Sequence, residues 1–194
     1  MKIELSKSAW LVIENDYLAQ SDADDLLRAT LQDIPWEQSD ITIFGRQVAI
    51  PRLNAWYGDY QYTYSGSTFP PRALLPALAS LKEKIETQYN IRLNSVLANL
   101  YRDGRDGMGW HSDNEKSLGD KPQIASVSLG EQRRFLIREK ADKSKKTELI
   151  LKHGSLLLMR GDCQVNWEHS VPKTSKPKNL RVNLTFRNNT GISN

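Results

Sequence analysis

Residues 180–188 read LRVNLTFRN, and the seven from Arg181 to Arg187 alternate strictly between polar and apolar side chains. Successive side chains of a strand point to opposite faces, so Val182, Leu184 and Phe186 line one face and Arg181, Asn183, Thr185 and Arg187 the other. The apolar face requires a core. The polar face has two readings: a solvated outer surface, or a wall whose two guanidinium groups hold the carboxylates of a ligand in bidentate fashion. The stretch SVLANLY (95–101) repeats the pattern, with Leu97, Asn99 and Tyr101 on one face and Val96, Ala98 and Leu100 on the other.

Further strand signals surround these two. From about residue 91, RLNSVLANLY (92–101), QIASVSLG (123–130), RRFLIRE (133–139), ELILKHGSLLLMRG (148–161) and LRVNLTFRN are short apolar or alternating segments separated by Gly, Asp, Asn and Pro clusters. Strands so closely spaced, without helices between them, favour an antiparallel sandwich or barrel over a parallel sheet. Helical signals come earlier. SDADDLLRATLQ (21–32) offers Ser21 as an N-cap ahead of a Leu26, Leu27, Leu31 stripe. PPRALLPALASLKEKIE (70–86) repeats Leu74, Leu78, Leu81 and Ile85 at helical spacing behind its prolines. The class is therefore α+β, mostly β, with KADKSKK (140–146) as a hairpin loop and PKTSKPKN (172–179) as a basic loop.

At 194 residues the chain suits one domain with a sizeable core. A formal charge of +4 is compatible with a polyanionic partner without demanding one. The single cysteine, Cys163, excludes an internal disulfide framework and fits a reducing compartment. No apolar run approaches a membrane span, and MKIELSKSAW lacks the apolar centre of a secretory signal, so a cytoplasmic or nuclear protein with no membrane association is expected.

Chemistry enters with GWHSDNE (109–115). On extended backbone His111 and Asp113 share a face, placing an imidazole beside a carboxylate. Taken alone, a polar surface turn is the plainer explanation of that pair. Two other histidines could complete a metal site, His153 in LKHGSL and His169 in WEHSVP; His169 is preferred because it precedes the arginine strand. Two histidines and one carboxylate form the facial triad of non-haem iron(II) oxygenases, which leaves coordination positions open. A zinc hydrolase could use the same three residues.

The ordered set NLYRDG, WHSDNE, IASVSLG, HGSLLLMRGDCQVNWEHSVP and RVNLTFR resembles the AlkB family of iron(II) and 2-oxoglutarate-dependent dioxygenases, in particular its members acting on alkylated DNA, over about residues 41–187. The resemblance implies a double-stranded β-helix, or jelly-roll, core with N-terminal helices. It implies a single domain over 1–194, with about 1–90 as N-terminal extension and nucleotide-recognition lid and about 91–190 as catalytic core. His111, Asp113 and His169 match the family's iron ligands. Asn99, Tyr101, Arg181, Asn183 and Arg187 match the residues that hold 2-oxoglutarate, with Arg181 facing the distal carboxylate and Arg187 near the metal-proximal one.

The implied activity is oxidative demethylation of bases such as 1-methyladenine and 3-methylcytosine, coupling O2 and 2-oxoglutarate to release of formaldehyde. Phe44 matches the wedge residue that fills the gap left by an extruded base. YQYTYSG (60–66) resembles the lesion pocket, through Tyr62, Tyr64 and Ser65, and Arg52 and Glu115 match residues lining it. Asn114 departs from the aspartate often found there, and PKTSKPKN is less compact than the basic run of duplex-acting relatives, which puts the grip on a complementary strand in doubt. Arg102, Arg105 and the lysines of 140–146 could add phosphate contacts. Alkylated DNA, single- or double-stranded, is the expected partner and a monomer the expected state. An RNA or tRNA demethylase is the alternative within the same chemistry, and a basic nucleic-acid-binding module with a vestigial metal site the alternative outside it.

Overall fold

The computed structural model describes residues 1–43, 46–64 and 67–191, with the backbone alone for 41–43, 64 and 67. The chain opens with β1 (Lys2–Ser6), β2 (Ala9–Glu14) and α1 (Gln20–Asp33), then runs through β3 (Glu37–Ile43), β4 (Arg46–Gly58), β5 (Tyr62–Tyr64) and β6 (Ser67–Phe69) to α2 (Pro76–Tyr89). There follow β7 (Ser95–Tyr101), β8 (Met108–His111), β9 (Ile124–Gly130), β10 (Arg133–Glu139), β11 (Lys146–Leu151) and β12 (Ser155–Gly161). The short α3 (Cys163–Asn166), β13 (Trp167–Val171) and β14 (Arg181–Arg187) close the fold.

Eight strands form one antiparallel sheet in the order β1-β2-β12-β9-β14-β7-β4-β3, four form a second in the order β11-β10-β13-β8, and β5 pairs with β6 alone. This is the mostly-β jelly-roll architecture that the sequence implied. The chain's last strand sits near the middle of the large sheet, with Asn183 opposite Asn99 of β7 and Ser128 of β9. Every residue of β14 and of β7 is buried. The polar face of β14 is therefore an interior wall, and the solvated-surface reading of Arg181 and Arg187 is wrong: they are 1% and 3% exposed.

The two faces of the large sheet meet different partners. Val182, Leu184 and Phe186 pack with Val96, Ala98 and Leu100 and with Leu78, Leu81 and Ile85 of α2, so the helices cover this side. The other side faces the small sheet, where Phe135, Ile137, Leu149 and Leu151 join Tyr101, Ile124, Leu157 and Met159. Arg181, Asn183, Thr185 and Arg187 open onto the gap between the sheets.

Local features differ from the sequence reading in two places. α1 begins at Gln20, so Ser21 lies inside the helix, and the cap position, Ala19, makes no side-chain bond. The core sets that boundary: buried Leu18 donates its N–H to Gly154 O, and Ala23 N opens the helical ladder onto Ala19 O. Strands also begin well before residue 91. β2 buries Ala9, Leu11 and Ile13 and pairs with β12, while β4 pairs with β7, so both extend the large sheet. α2 starts at Pro76, where a missing N–H costs nothing. No helix among the described residues is long and apolar enough to cross a membrane.

Burial on β14 ranks the expected mutational costs. Phe186→Ala should destabilise by about 3–5 kcal/mol, as large-to-small changes in closed cores do. Ile150→Ala, 40% exposed on β11, should stay within about 0.5 kcal/mol. Urea unfolding midpoints check both, and a Phe186→Ala cost no larger than that of Ile150→Ala would contradict the packing described.

Candidate active site

β8 and β13 bring the sequence motifs together. His169 lies opposite His111 in their pairing, and the ladder turns irregular beyond it. The two imidazole centroids are 4.2 Å apart. One ligand atom from each of His111, Asp113 and His169 falls within 4.8 Å of the others. His153 is elsewhere: its Nδ1 accepts from Gly130 N at 2.8 Å and its Nε2 lies 3.1 Å from Asp24.

The donor set suits a divalent metal. His111 Nδ1 is 2.9 Å from Gly109 O; a carbonyl only accepts, so Nδ1 carries the proton and Nε2 keeps its lone pair for a metal. Burial lowers the pKa of His111, against the pull of Asp113, and pushes His169 down to about 3, helped by His111. Both rings are neutral at pH 7, the form that ligates. Burial works to raise the pKa of Asp113, but Arg187 and then the two histidines hold it below the usual carboxylate range. Arg187 Nη2 donates to Asp113 Oδ1 at 2.9 Å.

One cavity holds these three residues together with Asn99, Tyr101, Arg181, Asn183 and Arg187, so the residues matched to metal and co-substrate converge. Arg181 donates through Nη2 to Ser128 Oγ at 2.9 Å, while its Nε and Nη1 are buried without a partner, as is Arg187 Nε. Unpaired buried N–H donors cost about 1–3 kcal/mol each, and an anionic ligand in the cavity would satisfy them. Burial also lowers the Arg181 pKa to about 10. Asn183 is spoken for differently: Nδ2 donates to Ser126 Oγ and Val127 O, and Oδ1 accepts from Thr185.

A second cluster adjoins the triad. Tyr62 donates to Glu115 Oε1 at 2.7 Å and accepts from Arg187 Nη1 at 3.1 Å. Its ring stacks on Trp56 with centroids 4.4 Å apart. Arg52 is buried and donates through Nε to Asn99 Oδ1 at 2.8 Å. Phe44 and Ser65 lie outside the described residues, as does the side chain of Tyr64. Arg102 and Arg105 pair with Asp106 and Asp103, and Lys140 donates to the carbonyls of Gln164 and Val165.

The model of the 2OG-Fe(II) oxygenase superfamily matches residues 11–187. The chain belongs to that superfamily, in its AlkB branch. It is 43% identical over 180 residues to the rat (Rattus norvegicus) alpha-ketoglutarate-dependent dioxygenase alkB homolog 3, covering 86% of this chain and 59% of the relative. To the mouse (Mus musculus) DNA oxidative demethylase ALKBH2 it is 35% identical over 180 residues, covering 87% and 75%. The chain thus spans about six-tenths of the length of the alkB homolog 3 relatives it matches. The solved structure of OsALKBH1 superposes with a TM-score of 0.64 at 19% identity, over 91% of this chain and 97% of that one, and shares the fold.

In this chain several residues of the candidate site carried no sequence signal. Trp56 lies on β4, a stretch not read as a strand, and Arg133 on β10, read only as a short apolar or alternating segment. Gln164 is fully buried in α3; its Oε1 accepts from Asp113 N at 2.9 Å and its Nε2 donates to Met159 Sδ at 3.4 Å. Ser112 Oγ donates to Trp167 O at 2.8 Å. These two bonds continue the β8–β13 connection past His111, at the end opposite the irregular step between His169 and Val171. Only a turn folded back against β8 creates them, and spacing along the chain does not announce it. Gln164→Leu should leave the Asp113 N–H orphaned and weaken metal binding by about 10- to 100-fold. Titration of the metal-free protein with Mn(II) measures this, and an unchanged affinity would remove Gln164 from the site.

Proposed function

We propose that the chain is an oxidative demethylase of N-alkylated bases in DNA, using iron(II), 2-oxoglutarate and O2. The observation that carries this reading is the single cavity that holds the His111–Asp113–His169 triad together with the unpartnered donors of Arg181. The kinship with the alkB homolog 3 and ALKBH2 proteins supports the choice of substrate. A non-catalytic module is disfavoured, because triad and co-substrate residues are all present in a geometry such a module would not need.

In this reading His111, Asp113 and His169 hold the iron. Bound iron with its co-substrates supplies the oxidising chemistry that removes an N-methyl group as formaldehyde and leaves succinate and CO2. Arg181 takes the distal carboxylate of 2-oxoglutarate, beside Tyr101. Arg187 keeps Asp113 ionised and, through Tyr62, ties the metal to the base pocket. Burial raises the Tyr62 pKa, so the phenol keeps its proton and donates to Glu115. Glu115 Oε2 is buried and unpartnered, where an N–H of a cationic methylated base would find both a hydrogen-bond acceptor and a counter-charge. Arg52, through Asn99, braces the wall between the two pockets. Phe44, Tyr64 and Ser65 complete the proposed lesion-binding set. In the 140–146 and basic loops Lys145 pairs with Glu139 and Lys178 with Glu131; Lys143, Lys146, Lys173 and Lys176 form no ion pair among the described residues and are available to phosphates.

The test is reconstitution with iron(II), O2 and 2-oxoglutarate on oligonucleotides carrying 1-methyladenine or 3-methylcytosine, in single-stranded DNA, duplex DNA and RNA, with formaldehyde and succinate as readouts. Formaldehyde from DNA is expected; release from RNA alone would move the assignment to the RNA demethylase alternative. Glu115→Ala should lower kcat/KM on the methylated oligonucleotide by about 10- to 100-fold and leave the KM for 2-oxoglutarate unchanged. Equal losses in both would show that Glu115 acts on the fold and not on the base.

A further inference from the structure

Arg133 opens β10 and is 2% exposed, yet no carboxylate pairs with it among the described residues. Its guanidinium donates to main-chain carbonyls: Nη1 to Asp103 O at 3.0 Å, and Nη2 to Asp106 O at 2.8 Å and Pro172 O at 2.9 Å. The first two belong to the loop that leaves β7 just after Tyr101. The third opens the loop that leads into β14 and Arg181. One cation therefore joins the two loops that carry the co-substrate end of the cavity.

The junction has no slack. Thr174 N donates to Gly104 O at 2.8 Å, and a Cβ at Gly104 would lie 2.6 Å from Thr174 O. At Gly107 it would lie 2.8 Å from Val171 O, so the two loops touch backbone to backbone. The guanidinium carbons of Arg133 and Arg181 both lie over the Tyr101 ring, 5.6 and 5.2 Å from its centroid. Burial is the main influence lowering the pKa of Arg181; Tyr101 opposes it and the nearby charge of Arg133 adds to it. Two cations sharing one tyrosine in a dry site form a place where an anion is wanted.

We infer that Arg133 is a positioning residue for the distal carboxylate of the 2-oxo acid: by clamping both loops it fixes Tyr101 and Arg181 in the register that presents the free Arg181 donors. The inference rests on the co-substrate reading of the cavity. Its consequence is selectivity, since Arg133 matters for a dicarboxylic 2-oxo acid and not for one that lacks the distal carboxylate.

The experiment uses the Mn(II)-loaded protein, titrated calorimetrically with 2-oxoglutarate and with 2-oxobutyrate. Wild-type preference for 2-oxoglutarate tests the co-substrate reading by itself, and its absence would defeat that reading before any variant is made. Arg133→Lys keeps the charge but cannot span three carbonyls; Arg133→Gln loses both. Each should weaken 2-oxoglutarate by about tenfold and leave 2-oxobutyrate within about twofold, with Mn(II) affinity unchanged. Arg134→Lys, on the exposed neighbour paired with Glu148, should change none of these. Equal weakening of both acids would reveal a general loosening and overturn the inference, as would full affinity in both variants. Loss in the Gln variant alone would reduce Arg133 to a source of charge and overturn the clamp. Should the Gln variant fail to fold, the Lys variant decides.

Discussion

Arg187 and Asp113 form an ion pair with both side chains only 4% exposed, and the arrangement of the active site follows from it. Arg187 ends the central strand of the large sheet, and Asp113 follows the edge strand of the small one. Two charges withdrawn from water must be paired and further hydrogen-bonded, because losing either partner strands the other. Here Arg187 makes a further bond to Tyr62, and the two histidines face Asp113 with one ligand atom of each within 4.8 Å. The pair thus joins the sheets at the metal site and the metal site to the aromatic pocket.

The large sheet makes this possible by being buried on both faces for different reasons. Its α2 side is an ordinary apolar core, which supplies the area-proportional stabilisation of folding. Its inner side is polar and only partly satisfied, with buried donors on Arg181 and Arg187 left for a ligand. Concentrating the unsatisfied groups on one face and the apolar burial on the other lets the same strands supply both stability and a binding wall.

Much of this was legible in the residues. The period-two alternation of β7 and β14 assigned each side chain to the correct face, and the resemblance implied the grouping of His111, Asp113 and His169. The early strands were harder to read. AWLVIE reads as a short apolar run, and its role as a strand depends on β12 lying beside it. Ser21 had the chemistry of a cap, but the Leu18–Gly154 bond fixed where α1 begins. Gln164, Ser112 and Arg133 were invisible for a shared reason: each acts on main-chain atoms of distant segments, and a main-chain N–H or C=O has no side-chain identity to read.

By itself the chain's order of residues determined the strand faces and the side-chain chemistry that each face carries, because these follow from alternation and residue type. Only the tertiary structure decided that the polar face of β14 is interior, that His169 and not His153 stands beside His111, and that Tyr62 links Glu115 to Arg187. Those outcomes depend on which strands become neighbours, and neighbour choice is settled by burial of the whole sheet rather than by any local pattern.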